Sequence, residues 1–245
     1  MDKDTGKMQT GWVKVGDYWY WFSGSGAMLT GYQQINGTWY YMNKKGNDKG
    51  PEGALTYTGV TSIMGTSMFG TDKTTVVEKM VSDYTKRGVL YPSAALAVGG
   101  APDIVTFCGI LYDQALAENV RPEIVYVQSM NETNYLQFNG DVHVEQFNFA
   151  GLGATGGGNP GNKFNSVSEG LLAQVQHLKA YASTEPLKTT CIDIRFKYVA
   201  RGSAPYVEWL GQKENPNVDK NGSGYGWASG ERYGFNLMAL LDRLK

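Results

Sequence analysis

A 20-residue period in aromatic residues constrains this chain more than any other feature. Shifted by 20, "TGWVKVGDYWYWFSGSG" lies over "TGYQQINGTWYYMNKKG". Gly11 then falls on Gly31, Trp12 on Tyr32, Val15 on Ile35, Trp19 on Trp39, Tyr20 on Tyr40 and Gly26 on Gly46. Each unit reads as strand, Gly/Asn/Asp turn, aromatic strand, Gly. "VGDYW" and "INGTW" are tight-turn signals between β-formers, so the spacing predicts one β-hairpin per repeat. A lone hairpin cannot bury its own rings, and such units stack on neighbours. One reading makes the rings simply the core of the stack. Ten aromatic residues between Trp12 and Tyr41 are, however, more than packing alone asks of so short a segment. The opening "GKMQTG" matches "GAMLTG" at 26–31, the junction between repeats, so the chain is expected to be cut from a longer array.

Charge and hydropathy narrow the partners. Lys plus Arg number 22 against 23 Asp plus Glu, which gives no reason to expect nucleic acid or a polybasic membrane contact. The most apolar stretch, "SAALAVGGAPDIVTFCGILY", is broken by Pro102 and Asp103, so no membrane span is expected. No signal peptide follows Met1, which says little about location in a chain cut from a longer one. Two cysteines could pair or stay free; Cys108 lies in an apolar helical run and reads as a buried thiol. His143 and His177 are far apart in sequence and away from the cysteines, so neither a metal nor a cofactor is expected.

The repeat pattern, Gly-Trp, then Trp-Tyr-Tyr, then Gly-x-Met, resembles the choline-binding or cell-wall-binding repeats of Gram-positive surface proteins and phage lysins. The resemblance implies an aromatic cage around the quaternary ammonium of choline on teichoic or lipoteichoic acid, since ring faces attract a weakly hydrated cation. Related repeats bind sugars instead. By resemblance the cage residues are Trp12, Trp19 and Tyr20 in the first repeat and Tyr32, Trp39 and Tyr40 in the second. Tyr32 stands where the family usually has Trp.

Residues 1–47 thus form the repeats. Residues 48–56, Gly- and charge-rich without apolar period, read as a linker, and 57–245 as a second domain. There "TDKTTVVEKMVSDYTKRG" has helical apolar spacing and stops at Gly88. Ala101–Val120 reads as a second helix. "RPEIVYVQSMNETNYL" reads as a third, with Pro122 in its first turn. "SVSEGLLAQVQHLKAYAS" reads as a fourth, with Ser166 and Glu169 as a capping box, and 231–244 as a last one. "DVHVEQFNF" alternates like a strand before a Gly-rich loop. The expectation is an α+β domain, mainly helical, with a small β or loop flap over a cleft.

Glu132 falls at the end of the third helix, sharing a face with Val125 and Gln128. Withdrawn from water its pKa would rise, as a general acid requires; fully solvated it would be an ordinary helix-end carboxylate. From spacing alone the second is at least as good. His177, at helical spacing with Leu171 and Gln174, reads as structural.

"QSMNETNYL", "FNFAGLGA", "AQVQHLKAYAS" and "GWASGERYG" resemble, in matching order, elements of bacterial N-acetylglucosaminidases that act on peptidoglycan, particularly clostridial and phage-borne members. The likeness runs from about Ser62 to the C-terminus. It implies a lysozyme-like fold and cleavage of the β-1,4 bond after N-acetylglucosamine, with Glu132 as general acid. Asn131 and Asn134 depart from the apolar residue and Gly common beside that Glu. For the second group, Glu145 is preferred over Asp141, which looks like a turn residue; the substrate's own acetamido oxygen, with help from Tyr233, is the alternative. Gln128, Asn148, Phe149, Gly151 and Trp227 are expected to meet substrate, Phe149 and Trp227 having a packing role as the bland alternative. The protein expected is an extracellular, wall-associated or phage-delivered autolysin or endolysin. The alternatives are a muramidase or lytic transglycosylase on a similar fold and a non-catalytic wall-binding protein.

Overall fold

The computed structural model describes residues 6–46 and 49–245. Both repeats form hairpins. β1 (Gly11–Val15) pairs antiparallel with β2 (Tyr18–Phe22), and β3 (Gly31–Ile35) with β4 (Thr38–Met42). The second turn, Asn36-Gly37, has φ of 50° and 81°, the geometry whose twist matches flanking strands. The stretch read as linker turns back: the Asn43 N–H donates to Ala54 and Gly53 N–H to Asn43, and β5 (Leu55–Thr58) adds a third strand beside β4. Low apolar content hid it, because its partner strand rather than its own period makes it a strand.

The helices follow the expected stops and starts, with shifts. α1 (Lys73–Arg87) is capped by Asp72 and ends at left-handed Gly88. A short α2 (Ser93–Val98) was not foreseen. α3 (Ile104–Ala117) starts later than Pro102, because Asp103 caps the Thr106 N–H. α4 (Pro122–Glu132) begins on proline. α5 (Val167–Ala182) is capped by Ser166, while Glu169 reaches back to Asn165 rather than to Ser166. α6 spans Tyr233–Asp242. The chain is α+β, six helices with small β-hairpins among the described residues.

The expected strand in "DVHVEQFNF" does not form. Val144–Gln146 is a single 3₁₀ turn followed by Phe147 at φ 51°, and the Gln146 amide bonds Pro160 and Asn162 carbonyls across the loop. With no partner strand in reach, alternation alone cannot hold extended backbone, and the flap is loop throughout.

α4 is the centre. Every residue from Pro122 to Met130 is buried, so the helix has no wet face to give it a clear apolar period. α3 lies against α1, α4 and α5. Beside it Lys179 and Glu118 form an ion pair of 2.7 Å with both side chains fully buried. Glu118 also accepts the Lys188 and Thr189 N–H groups. Lys179→Met would strand that carboxylate, and a loss of about 3 kcal/mol is expected in urea unfolding, on the scale of broken buried pairs. A loss under a third of that would mean the site opens to water.

Candidate functional site

α4 ends on Glu132, and the chain then makes an uncommon turn. Asn134, Tyr135 and Leu136 all have positive φ (47°, 56° and 60°), which costs non-glycine residues roughly 1–3 kcal/mol each. The turn is held from outside. The Thr133 hydroxyl bonds the Ser129 carbonyl and accepts the Leu136 N–H, and Tyr135 and Leu136 are buried. The effect is to stop α4 abruptly and leave Glu132 facing a cleft of about 340 Å³. Thr133, Phe138, Asp141, Asn148, Gly151 and Trp227 are among its walls.

Glu132 keeps accessible surface through the mouth of the cleft, yet protein packs closely around its carboxyl. That packing removes part of the carboxylate's hydration although the residue as a whole stays exposed. That desolvation pushes the pKa above the usual carboxylate value, against opposing hydrogen bonds from Tyr233 and Asn131. Gly151 stands against the carboxyl: its φ is 65°, and a Cβ there would lie 3.7 Å from Glu132 Oε2.

The Tyr233 hydroxyl, at the first residue of α6, donates to Glu132 Oε1. Burial and the neighbouring carboxylate raise the phenol's own pKa well above 10, so it stays a donor. Its orientation comes from a directed relay. The Gln174 amide N–H₂ donates to Gln128 Oε1 (3.0 Å), and the Gln128 amide donates to the Tyr233 oxygen (3.1 Å). Gln174 is fixed in turn by the Val125 carbonyl and the Ser129 hydroxyl. With its oxygen already accepting, Tyr233 sends its single proton to Glu132.

Several expected site residues take other duties. Gln128 is fully buried and holds Tyr233 rather than opening on the cleft. Phe149 is fully buried, edge-on to Phe107 (5.0 Å) and Phe138 (6.1 Å), and so is core beneath the wall. Asn148 lines the cleft, but its amide bolts the loop, bonding both the Leu152 N–H and carbonyl. Gly151 and Trp227 do line it. The preference for Glu145 is corrected: it faces a separate groove with Ala94, Phe147 and Lys163, whereas Asp141 lines the cleft of Glu132. Gln174 was missed, because its partner Gln128 lies on another helix and no local pattern joins them.

The repeats divide unequally. Trp12 is the hub of the first set, edge-on to Trp19 (6.4 Å), Trp21 (5.2 Å) and Tyr40 of the next hairpin (5.0 Å). Trp19 remains 45% exposed, so this cluster opens outward. Tyr20 points to the other side of the hairpin and bridges Ala54; Trp21 replaces it in the cluster. Of the corresponding rings of the second repeat, Tyr32 is buried and Trp39 half-buried. Tyr32 stacks on Phe235 (6.3 Å, 19°) and is not open as expected, while Trp39 packs one side edge-on against Trp209 (5.0 Å). Both cysteines are free, Cys108 buried and Cys191 exposed. Among the described residues no helix is long and apolar enough to cross a membrane, and no group of three metal-ligating side chains occurs.

Residues 10–28 and 30–47 match the family described as "Putative cell wall binding repeat". The two matched segments coincide with the two hairpins, and they support a cell-wall-binding protein, associated with the wall. An uncharacterised protein of Borreliella burgdorferi is 47% identical over 95 residues, which cover 39% of this chain and 47% of that relative. This chain therefore matches about half of the relative's length. No solved structure matches the chain.

Proposed function

We propose that the chain is a wall-anchored glycoside hydrolase with a lysozyme-like catalytic domain, cleaving the β-1,4 bond after N-acetylglucosamine in peptidoglycan. The observation that carries this is Glu132: a carboxyl of raised pKa on a cleft wall, aimed by a buried donor. Its proton passes to the glycosidic oxygen as the bond to C1 breaks, the bonding pair stays on that oxygen, and positive charge develops at the ring. Tyr233 holds the carboxyl during the transfer and steadies the carboxylate left behind. Asp141, in the same cleft, takes the part for which Glu145 was preferred in the sequence: it activates a water on the other face of the sugar or orients the acetamido group. The repeats keep the domain on an insoluble polymer outside the cell and raise its effective concentration there.

The test is digestion of purified walls, borohydride reduction and mass spectrometry. Reduced N-acetylglucosamine ends are expected. Reduced muramic acid or 1,6-anhydro ends would move the protein to the muramidase or transglycosylase class. No release from several wall types would leave a binding protein.

For the repeats, the proposed ligand is the quaternary ammonium of choline on the Trp12, Trp19, Trp21 and Tyr40 cluster. A desolvated cation–π contact contributes about 2 kcal/mol, so Trp12→Ala should weaken retention on choline-bearing wall roughly 30-fold. Trp39→Ala should act on stability instead, because Trp39 packs on Trp209. Equal loss of retention in both, with both chains folded, would place the ligand elsewhere.

A further inference from the structure

The cleft does not end at Trp227. Ala150, Gly151, Ala154 and Trp227 are shared with a second chamber of about 150 Å³, whose far side is made by His177, Tyr181 and Arg195. The two chambers differ in charge. The first holds Glu132 and Asp141; Arg195 is the charged side chain of the second.

The neighbours of Arg195 leave its guanidinium available. Asp193 is the nearest acid in sequence, and both its oxygens are committed. Oδ2 meets His177 Nδ1 at 2.6 Å, and Oδ1 accepts the Arg195 backbone N–H at 2.9 Å. Among the described residues no carboxylate lies within ion-pairing distance of the Arg195 guanidinium, which packs only loosely over Tyr198 at 6.0 Å. Because an ionised carboxylate can only accept, His177 carries its proton on Nδ1. That bond fixes the imidazole edge-on to Trp227 at 4.9 Å and so sets the ring between the chambers. The opposite wall is the 150–154 loop, four of whose five residues are glycine or alanine (Leu152 is the other), which leaves room for a substituent.

We propose that this second chamber is a subsite for a carboxylate carried by the glycan strand, bound by Arg195. The inference rests on the glycan-hydrolase reading of the first chamber. A strand of alternating sugars, one of each pair bearing an acidic ether or a stem peptide, meets opposite fields in the two chambers. With Glu132 protonated or replaced by Gln, Asp141 is the charge of the first chamber, so the anion is disfavoured there and favoured beside Arg195. This sets the register of the strand, and hence which of its two linkages lies against Glu132. Arg195 is thereby a specificity residue, and His177 a positioning one through Trp227.

The test is calorimetric binding to the full chain carrying Glu132→Gln, which separates recognition from turnover. Three probes are titrated: the neutral N-acetylglucosamine tetramer, the alternating N-acetylglucosamine–N-acetylmuramic acid tetrasaccharide with free carboxylates, and the same tetrasaccharide with those carboxyls amidated by a stem peptide that has its own. The acidic probe is expected to bind about tenfold tighter than the neutral one, the lower end for a hydrogen bond to a charged group. Adding Arg195→Ala should bring that ratio to about one, and Arg195→Lys should recover part of it. A preference for the free acid alone assigns the ether carboxylate; one for the peptide form alone assigns the stem. Equal affinity for acidic and neutral probes, or a preference that survives Arg195→Ala, overturns the subsite while sparing the hydrolase reading. If no saccharide binds, the hydrolase reading fails and the subsite fails with it.

Discussion

Replacing Glu132 with Gln is expected to cut wall hydrolysis roughly 10³-fold, within the range that a positioned general acid contributes. The amide keeps the shape and can still meet the Tyr233 hydroxyl, but it has no proton to give. In the unmutated chain the pH profile should carry the sign of the raised pKa. In the proposed reaction Glu132 acts only while protonated, so activity is expected to persist above the ordinary carboxylate range and to fall as pH rises through the shifted value. Tyr233→Phe removes a hydrogen bond that favours the ionised form. It should therefore move that alkaline limb further upward while lowering kcat, a pairing that simple loss of packing would not produce. Stability runs the same way. Glu132 holds its proton more tightly in the folded than in the unfolded chain. Its favourable contribution is complete below the unfolded value, about pH 4.3, and lost as pH rises through the folded one. Glu132→Gln lacks this loss, so it should gain thermal stability relative to the parent across that window. A variant equally active, or a Tm difference independent of pH, would remove Glu132 from the acid's role.

What the sequence made legible was local, and what it hid was long-range. The hairpins were readable because a turn such as Asn36-Gly37 and its flanking rings are neighbours in the chain. The end of α4 was readable because Pro122 fixes its start and helical geometry then carries the reading to Glu132. Glu145 was misplaced for the converse reason. That Asp141 looks like a turn residue said nothing about which groove the loop would turn either carboxylate into. Gln128 and Phe149 were read as cleft residues because they sit inside motifs. Burial spends them on Tyr233 and Phe107 instead. Arg195 had no local signal at all, since its chamber exists only where α5, the 150–154 loop and Trp227 meet.

The same distinction underlies the largest structural effect expected. Phe235→Ala should destabilise the whole chain by about 3–5 kcal/mol, about a fifth or more of the stability typical of a domain. Phe235 is the ring on which the second repeat is seated: Tyr32 stacks on it, and Tyr41 (5.0 Å) and Tyr57 (5.2 Å) meet it edge-on. Polar bonds cross the same junction, where Glu208 accepts the Tyr57 hydroxyl at 3.0 Å and the Thr61 N–H at 2.9 Å. The second hairpin is therefore part of the core of the helical half. It also braces the site, because Phe235 lies two residues beyond Tyr233 and Glu214 accepts the Arg232 N–H at the mouth of the same helix. In urea, tryptophan fluorescence, dominated by the repeats, and helical circular dichroism should report one midpoint in the parent chain. Phe235→Ala should lower both together, and should lower kcat in conditions where the chain is still folded, through a loosened Tyr233. Separate transitions, with the hairpins melting first and hydrolysis undisturbed, would show instead that the repeat is only an appended wall anchor.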